Sequence, residues 1–120
     1  MAIRERFPNY PFPSYLGIKI DKLGYGTARL AMRFQNEITQ GMGVIHGESM
    51  TSLCDTSVGV ALFTMVKEDD TILTVELKIN FISPADSDIF SEAKIIHKGQ
   101  RTAVGEVDVI KGDGTSLQRR

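Results

Sequence analysis

Four residues within one stretch of sixteen carry side chains or backbone groups that could do chemistry together: Gln40, His46, Gly47 and Asp55. Gly47 stands where a helix is expected to begin. The first amide N–H groups of a helix lack intrahelical partners, and the dipole is positive there. Such an amide can hold a developing oxyanion, and glycine lets a carbonyl come close to the backbone. Asp55 is a carboxylate among Leu, Val and Met, a placement that costs free energy unless the group is paired or used. An oxyanion donor, a carboxylate, an amide side chain and an imidazole are the parts that acyl transfer requires. Taken singly, each has a structural reading as well. Asp55 could be a buried hydrogen-bonded residue, His46 a helix-entry residue, Gly47 a tight turn and Gln40 a loop residue.

Spacing adds a constraint. Asp55 lies eight residues after Gly47, which is roughly 12 Å along a helix axis. One helix therefore cannot bring both groups to the same carbonyl. Two such helices running antiparallel about a two-fold axis would place Asp55 of one near Gly47 of the other, so a catalytic pair requires at least a dimer. On the helical wheel Asp55 is expected roughly 90° from the centre of the apolar stripe, at the edge of the buried face.

Other chemistries find no support in the sequence. It contains no Cys-x-x-Cys, no His-Glu-x-x-His and no Gly-x-Ser-x-Gly, and its two histidines, His46 and His97, are far apart. No metal site is expected. The single Cys54 sits on the apolar stripe, where a buried inert thiol is expected. With one cysteine no internal disulfide can form.

The elements that must position these groups follow from periodicity. Phe7 to Ser14 holds three of the four prolines and reads as a capping arm. Tyr15 to Lys22 reads as a strand. A second strand carries Ala28, Leu30, Met32 and Phe34 in alternation with Arg29 and Arg33. Met50, Leu53, Cys54, Val58, Ala61, Leu62 and Met65 recur at three and four, which predicts one helix from about Gly47 to Val66. Period two then returns in Leu73, Val75, Leu77, Ile79 and Phe81, with Pro84 ending the strand. Ile89 to His97 and Thr102 to Ile110 supply two more, and Lys111-Gly112-Asp113-Gly114 reads as a hairpin turn. Thr115 to Arg120 is very short for a strand. The order predicts an α+β domain, a single unit over 1–120, in which the sheet wraps the one apolar helix.

Length and charge agree with that picture. The chain has 120 residues, 42% of them hydrophobic and 24% charged, which suffices for one core without staples. Fourteen Lys and Arg against fifteen Asp and Glu leave a net charge of −1, too little positive charge to expect a nucleic-acid or anionic-membrane partner. The N-terminus lacks signal-peptide character and no apolar run is long enough to span a bilayer, so a cytoplasmic location is expected.

The run Gln40-Gly41-Met42-Gly43-Val44-Ile45-His46-Gly47-Glu48, followed by Asp55, resembles the signature of the hotdog-fold thioesterases. The resembling branch is the one related to the phenylacetate-degradation (PaaI-like) and 4-hydroxybenzoyl-CoA thioesterases. Thr74 to Phe81 with Ser83-Pro84-Ala85, and His97 to Ala103, are similar to further stretches of that family. The resemblance implies a hotdog fold, an antiparallel sheet of five to six strands around one long central helix. It implies hydrolysis of an acyl-CoA bearing an aryl, phenylacetyl or medium-chain acyl group. Asp55 then matches the catalytic carboxylate, as nucleophile or as base for water, and Gly47 the backbone donor to the thioester carbonyl. Gln40 matches the residue that orients water at the reacting centre, His46 a residue that steadies the loop or assists the carbonyl, and Thr74 a hydroxyl beside the carboxylate. Lys98, Gly99 and Arg101 fall where the family often meets coenzyme A phosphates, although a solvated basic turn is an equal reading.

No cofactor is implied, because coenzyme A is part of the substrate. The family forms homodimers and tends to pair them into dimers of dimers. The chain departs from the family in carrying Gln40-Gly41 where many members have Asn-Pro, and Glu48 where many have a second glycine. It also ends at Leu117-Gln118-Arg119-Arg120, where members usually have a full strand, so a shortened sheet edge is expected. The rival readings are a non-catalytic acyl-CoA binding or sensing module on this fold, and a hydratase or dehydratase.

Overall fold

The computed structural model describes residues 3–36, 43, 45–67, 70–81, 86–112 and 116–119, with backbone course and strand pairing alone at 80–81 and 116–119. The N-terminal arm folds as α1 (Ile3–Arg6), a 3-10 turn (Phe7–Asn9) and α2 (Pro11–Tyr15), in which Pro8 and Pro11 sit at first-turn positions that need no N–H. The arm caps the core as expected, burying Ile3 and Phe7, and the Arg6 guanidinium lies 5.2 Å from the centroid of Phe63. Strands β1 (Ile18–Gly24) and β2 (Thr27–Met32) make a hairpin through Tyr25-Gly26, where Gly26 has φ +73°. Its positive φ suits glycine, and Met65 Sδ would stand 3.0 Å from any added β-carbon.

The long helix α3 (Gly47–Phe63) follows, three residues shorter than the predicted Val66 end because Thr64 closes it. The Thr64 hydroxyl donates to the Ala61 carbonyl at 2.6 Å and accepts the Gly26 amide at 2.7 Å. Then come β3 (Asn80–Phe81), β4 (Ile89–Lys98), β5 (Ala103–Lys111) and β6 (Ser116–Arg119). The six strands form one antiparallel sheet in the order β1-β2-β4-β5-β6-β3. The sheet curls around α3, which packs on β2, β4 and β5. Leu30, Met32, Leu53, Cys54, Ile89 and Val109 are fully buried between them. The thiol is thus buried as expected.

Two close fits hold the helix to the sheet. Gly105 on β5 lets the helix approach, since a β-carbon there would lie 2.5 Å from Val58 Cγ1. Val58 is β-branched and has little rotamer freedom on a helix, so that contact is stiff. On the other side of the contact, Ser57 and Ser91 are both fully buried and hydrogen-bonded to each other, and the Ser57 hydroxyl also donates to the Leu53 carbonyl at 2.6 Å.

Two expectations about strands are corrected. The segment 71–79, read as most of a strand from its alternation, pairs with no strand among the described residues, and only Asn80–Phe81 joins the sheet. Alternation shows that one face of a segment suits burial, but a ladder also needs a neighbour, and this chain provides none beside 71–79 among the described residues. Conversely, the short C-terminal stretch does make a strand. Ser116–Arg119 pairs with β5 on one side and β3 on the other, and those neighbours supply the hydrogen bonds its length alone would not predict. Residues 82–85 and 113–115, with Pro84 and half of the expected hairpin turn, lie outside the described residues. No helix among the described residues is long and apolar enough to cross a membrane.

Candidate active site

The start of α3 is built by His46. It is the N-cap, with φ −63° and ψ 139°, and its Nδ1 accepts the Glu48 amide at 3.0 Å. Its carbonyl accepts the Ser49 amide at 3.0 Å and the Met50 amide at 3.1 Å. These bonds occupy three of the first four amides of the helix. The fourth, the Gly47 N–H, has no acceptor among the described residues and stands at the positive end of a 17-residue helix. Glu48 adds an exposed carboxylate to the first turn, where it complements the dipole. The imidazole thus caps the start of α3 through Nδ1.

Asp55 sits two turns further along. Thr74, from the segment 71–79, donates its hydroxyl to Asp55 Oδ1 at 2.6 Å. The bond fixes one carboxylate oxygen, and the other has no partner among the described residues. It also joins two residues nineteen positions apart that the resemblance had paired only by motif. The helix runs unbroken from Gly47 through Asp55, so their axial separation remains roughly 12 Å within one protomer.

The rotation of the helix differs from expectation. Its buried residues are Met50, Leu53, Cys54, Ser57, Val60 and Ala61, while Val58 and Leu62 are only partly buried. At about 100° per residue, the centre of that set is roughly 160° from Asp55 rather than 90°. The carboxylate thus lies on the side of the helix away from the sheet, sharing that face with Glu48, Thr51, Ser52, Gly59 and Leu62. The signal that would have shown this is Ser57. It completes the 50, 53/54, 57, 60/61 spacing, and the apolar stripe drawn without it points too far round.

Gln40 lies outside the described residues. Lys98, Gly99 and Arg101 form the tip of the β4–β5 hairpin, closed by the Gly99 amide donating to the Thr102 carbonyl at 2.8 Å, with Lys98 and Arg101 exposed. Ile95, three residues before Lys98, lies beside Gly26 and Met65, past the C-terminal end of α3. Within one protomer that tip is not brought to Asp55, which lies on the order of 12 Å down the axis from that helix end.

A curled antiparallel sheet closed on one long central helix is the hotdog architecture. The chain belongs to the thioesterase superfamily, whose family model matches residues 42–118. It is 36% identical over 104 residues to a protein of Saccharolobus solfataricus provisionally named an esterase, covering 86% of this chain and 67% of that protein. Among solved structures it is similar to a thioesterase family protein from Silicibacter pomeroyi. That match has a TM-score of 0.87 and 28% identity, over 98% of this chain and 88% of the other. The PaaI protein of the phenylacetic acid degradation operon of E. coli shares the fold, with a TM-score of 0.81 and 21% identity over 95% and 82% of the two chains. The family and relative names point to cleavage of an ester or thioester.

Proposed function

We propose that this chain is an acyl-CoA thioesterase that hydrolyses aryl-, phenylacetyl- or medium-chain acyl-CoA to the free acid and coenzyme A. The observation that carries the reading is the Asp55–Thr74 pair on the outward face of α3, set two turns from the free Gly47 amide. The substrate carbonyl accepts the Gly47 N–H, which stabilises the oxyanion of the tetrahedral intermediate. A donor of this kind is worth about 2.7–4 kcal/mol in acyl transfer. Thr74 holds Oδ1, and the second oxygen of Asp55 acts on the thioester. It either removes a proton from the attacking water or attacks the carbonyl itself to give an anhydride that water then opens. In both routes the C–S bond breaks, the acid keeps one water oxygen, and the thiolate of coenzyme A leaves and takes up a proton. Gln40 orients the water. Lys98 and Arg101 offer positive charge to the coenzyme A phosphates. The chemistry uses only the chain's own groups, and coenzyme A enters as part of the substrate.

The active unit is a homodimer in which Asp55 of one protomer works with Gly47 of its partner. The axial gap of roughly 12 Å supports this reading, and segment 71–79, which pairs with no strand among the described residues, offers a surface for it. Leu73 and Val75 there are 82% and 93% exposed in one protomer, and its backbone can pair with a second copy. The test is release of free thiol from a panel of aryl, phenylacetyl and linear acyl-CoAs by wild type and Asp55→Asn. Turnover that falls at least a hundredfold in the variant supports the reading. Tight acyl-CoA binding without turnover by wild type would replace it with a binding module.

A further inference from the structure

Strand β1 is an outer edge of the sheet, with β2 on one side and no strand on the other among the described residues. The N-terminal arm packs beside that edge. Between them lies a cavity of about 380 Å³. Its apolar lining comes from Phe7 and Pro8 of the arm and from Ile18 and Ile20 of β1. Each wall also carries one cation, Arg4 on the arm and Lys19 on the strand, and no carboxylate of the described residues lines the cavity. Both cations are exposed, and neither has an ion pair among the described residues. On the neighbouring strand, by contrast, Arg29 is held by Asp21 at 3.1 Å and by Glu92 at 2.9 Å. The Ser14 hydroxyl at the same cavity donates to the Pro8 carbonyl at 3.0 Å, which leaves Arg4 and Lys19 as the side-chain donors there. A lysine on a sheet edge can serve alone to discourage pairing with another chain. That role needs neither a second cation nor an apolar cavity between the two.

We infer that this cavity binds an amphiphilic carboxylate, a free alkyl or aryl acid. Its apolar body fills the space between the arm and β1, and its carboxylate bridges Arg4 and Lys19. The volume falls in the range of small-molecule sites, roughly 300–1,000 Å³. A bare inorganic anion would leave the apolar lining wet, and a neutral amphiphile would leave both cations unanswered. The guanidinium fork of Arg4 matches a carboxylate in two parallel bonds, and Lys19 adds a point charge. None of the lining residues belongs to α3 or to segment 71–79, so the site is separate from the Asp55–Thr74 pair and does not rest on the thioesterase reading. An acid seated there ties the arm to the sheet edge. The arm in turn reaches α3, where the Arg6 guanidinium lies 5.2 Å from the centroid of Phe63. The acid released by the proposed hydrolysis and a free acid of other origin share this chemistry.

The experiment titrates the isotope-labelled full chain with butyrate, octanoate, phenylacetate and octanol and follows backbone amide shifts by NMR. Wild type, Asp55→Asn and the double variant Arg4→Gln/Lys19→Gln are compared. Expected are saturable shifts with octanoate at Gly17, Lys19 and Ile20 and in the arm, retained in Asp55→Asn. From butyrate upwards each added CH₂ group should tighten binding by about three- to fourfold. Octanol should bind at least about tenfold more weakly than octanoate, and the double variant should lose a similar factor for octanoate. Its melting temperature without ligand should match wild type, since both side chains are exposed. Octanoate should raise the melting temperature of wild type and not that of the double variant. Shifts confined to Gly47, Asp55 and Thr74 would overturn the site, because the acid would then occupy only the proposed active site. Equal affinity for octanoate and octanol, or for octanoate in wild type and the double variant, would overturn it as well. Octanoyl-CoA in place of the acid separates the sources. Arm shifts that grow as the thioester is cleaved identify the enzyme's own product as the ligand, and shifts with added acid alone identify an acid of other origin. If wild type cleaves no thioester, the thioesterase reading fails and the acid titrations still decide the cavity.

Discussion

The buried hydroxyl pair between helix and sheet yields an asymmetric prediction. Ser57 has one proton, and its bond of 2.6 Å to the Leu53 carbonyl uses it. Ser91 must therefore be the donor in the bond between the two serines. Removing Ser91 deletes one hydrogen bond and leaves Ser57 still donating to Leu53, at a cost of about 1 kcal/mol. Removing Ser57 instead leaves the Ser91 hydroxyl without its acceptor at a site that is 0% exposed, which adds a desolvation penalty of about 1–3 kcal/mol. Ser57→Ala should thus be the more damaging change. The double variant should lie close to Ser91→Ala alone, giving a coupling energy of about 2–4 kcal/mol in size. Urea denaturation at one fixed protein concentration is the appropriate assay, since dissociation of a dimer would otherwise enter the measurement. Equal costs for the two single variants, or strictly additive costs in the double, would refute the proton assignment and with it the account of how the helix is held in rotation.

Two other predictions concern the site. Thr74→Ala should lower kcat/KM for the best thioester by about tenfold, near the low end for a hydrogen bond to a charged group because the site is open to water, whereas Thr74→Ser should recover most of it. A loss that Thr74→Ser does not recover would mean that the hydroxyl at 2.6 Å from Asp55 is not what matters. Val75→Asp should convert the protein to a monomer in sedimentation and abolish turnover together, because a charge on a surface that is 93% exposed in one protomer disturbs little except a contact between copies. Full activity in a monomeric variant would contradict the shared site.

The sequence showed the site's parts better than their orientation. The loop-to-helix transition at His46-Gly47 was legible because capping residues and a switch to period 3.6 are local signals, and the structure puts the helix start there. The pairing of Thr74 with Asp55 was available only through family resemblance, since no spacing rule links a later segment to a helix nineteen residues earlier. The rotation of α3 was misjudged because a buried serine reads as polar until its partner, Ser91 on β4, is known. The alternation of Leu73 to Phe81 was read correctly as a pattern and wrongly as a strand of this chain's own sheet. Sequence records which face suits burial, whereas sheet membership depends on whether a neighbour arrives. The same dependence on neighbours, in reverse, made a strand of Ser116–Arg119.

Thr64 has a further consequence. One hydroxyl terminates α3 and grips the β1–β2 hairpin through the Gly26 amide. The axial position of the helix is thereby referenced to the sheet from its far end. Asp55, nine residues upstream, inherits its place from that anchor and from the Ser57–Ser91 and Val58–Gly105 contacts. The carboxylate's height along the helix is therefore set from the sheet and from the end of α3 furthest from Gly47.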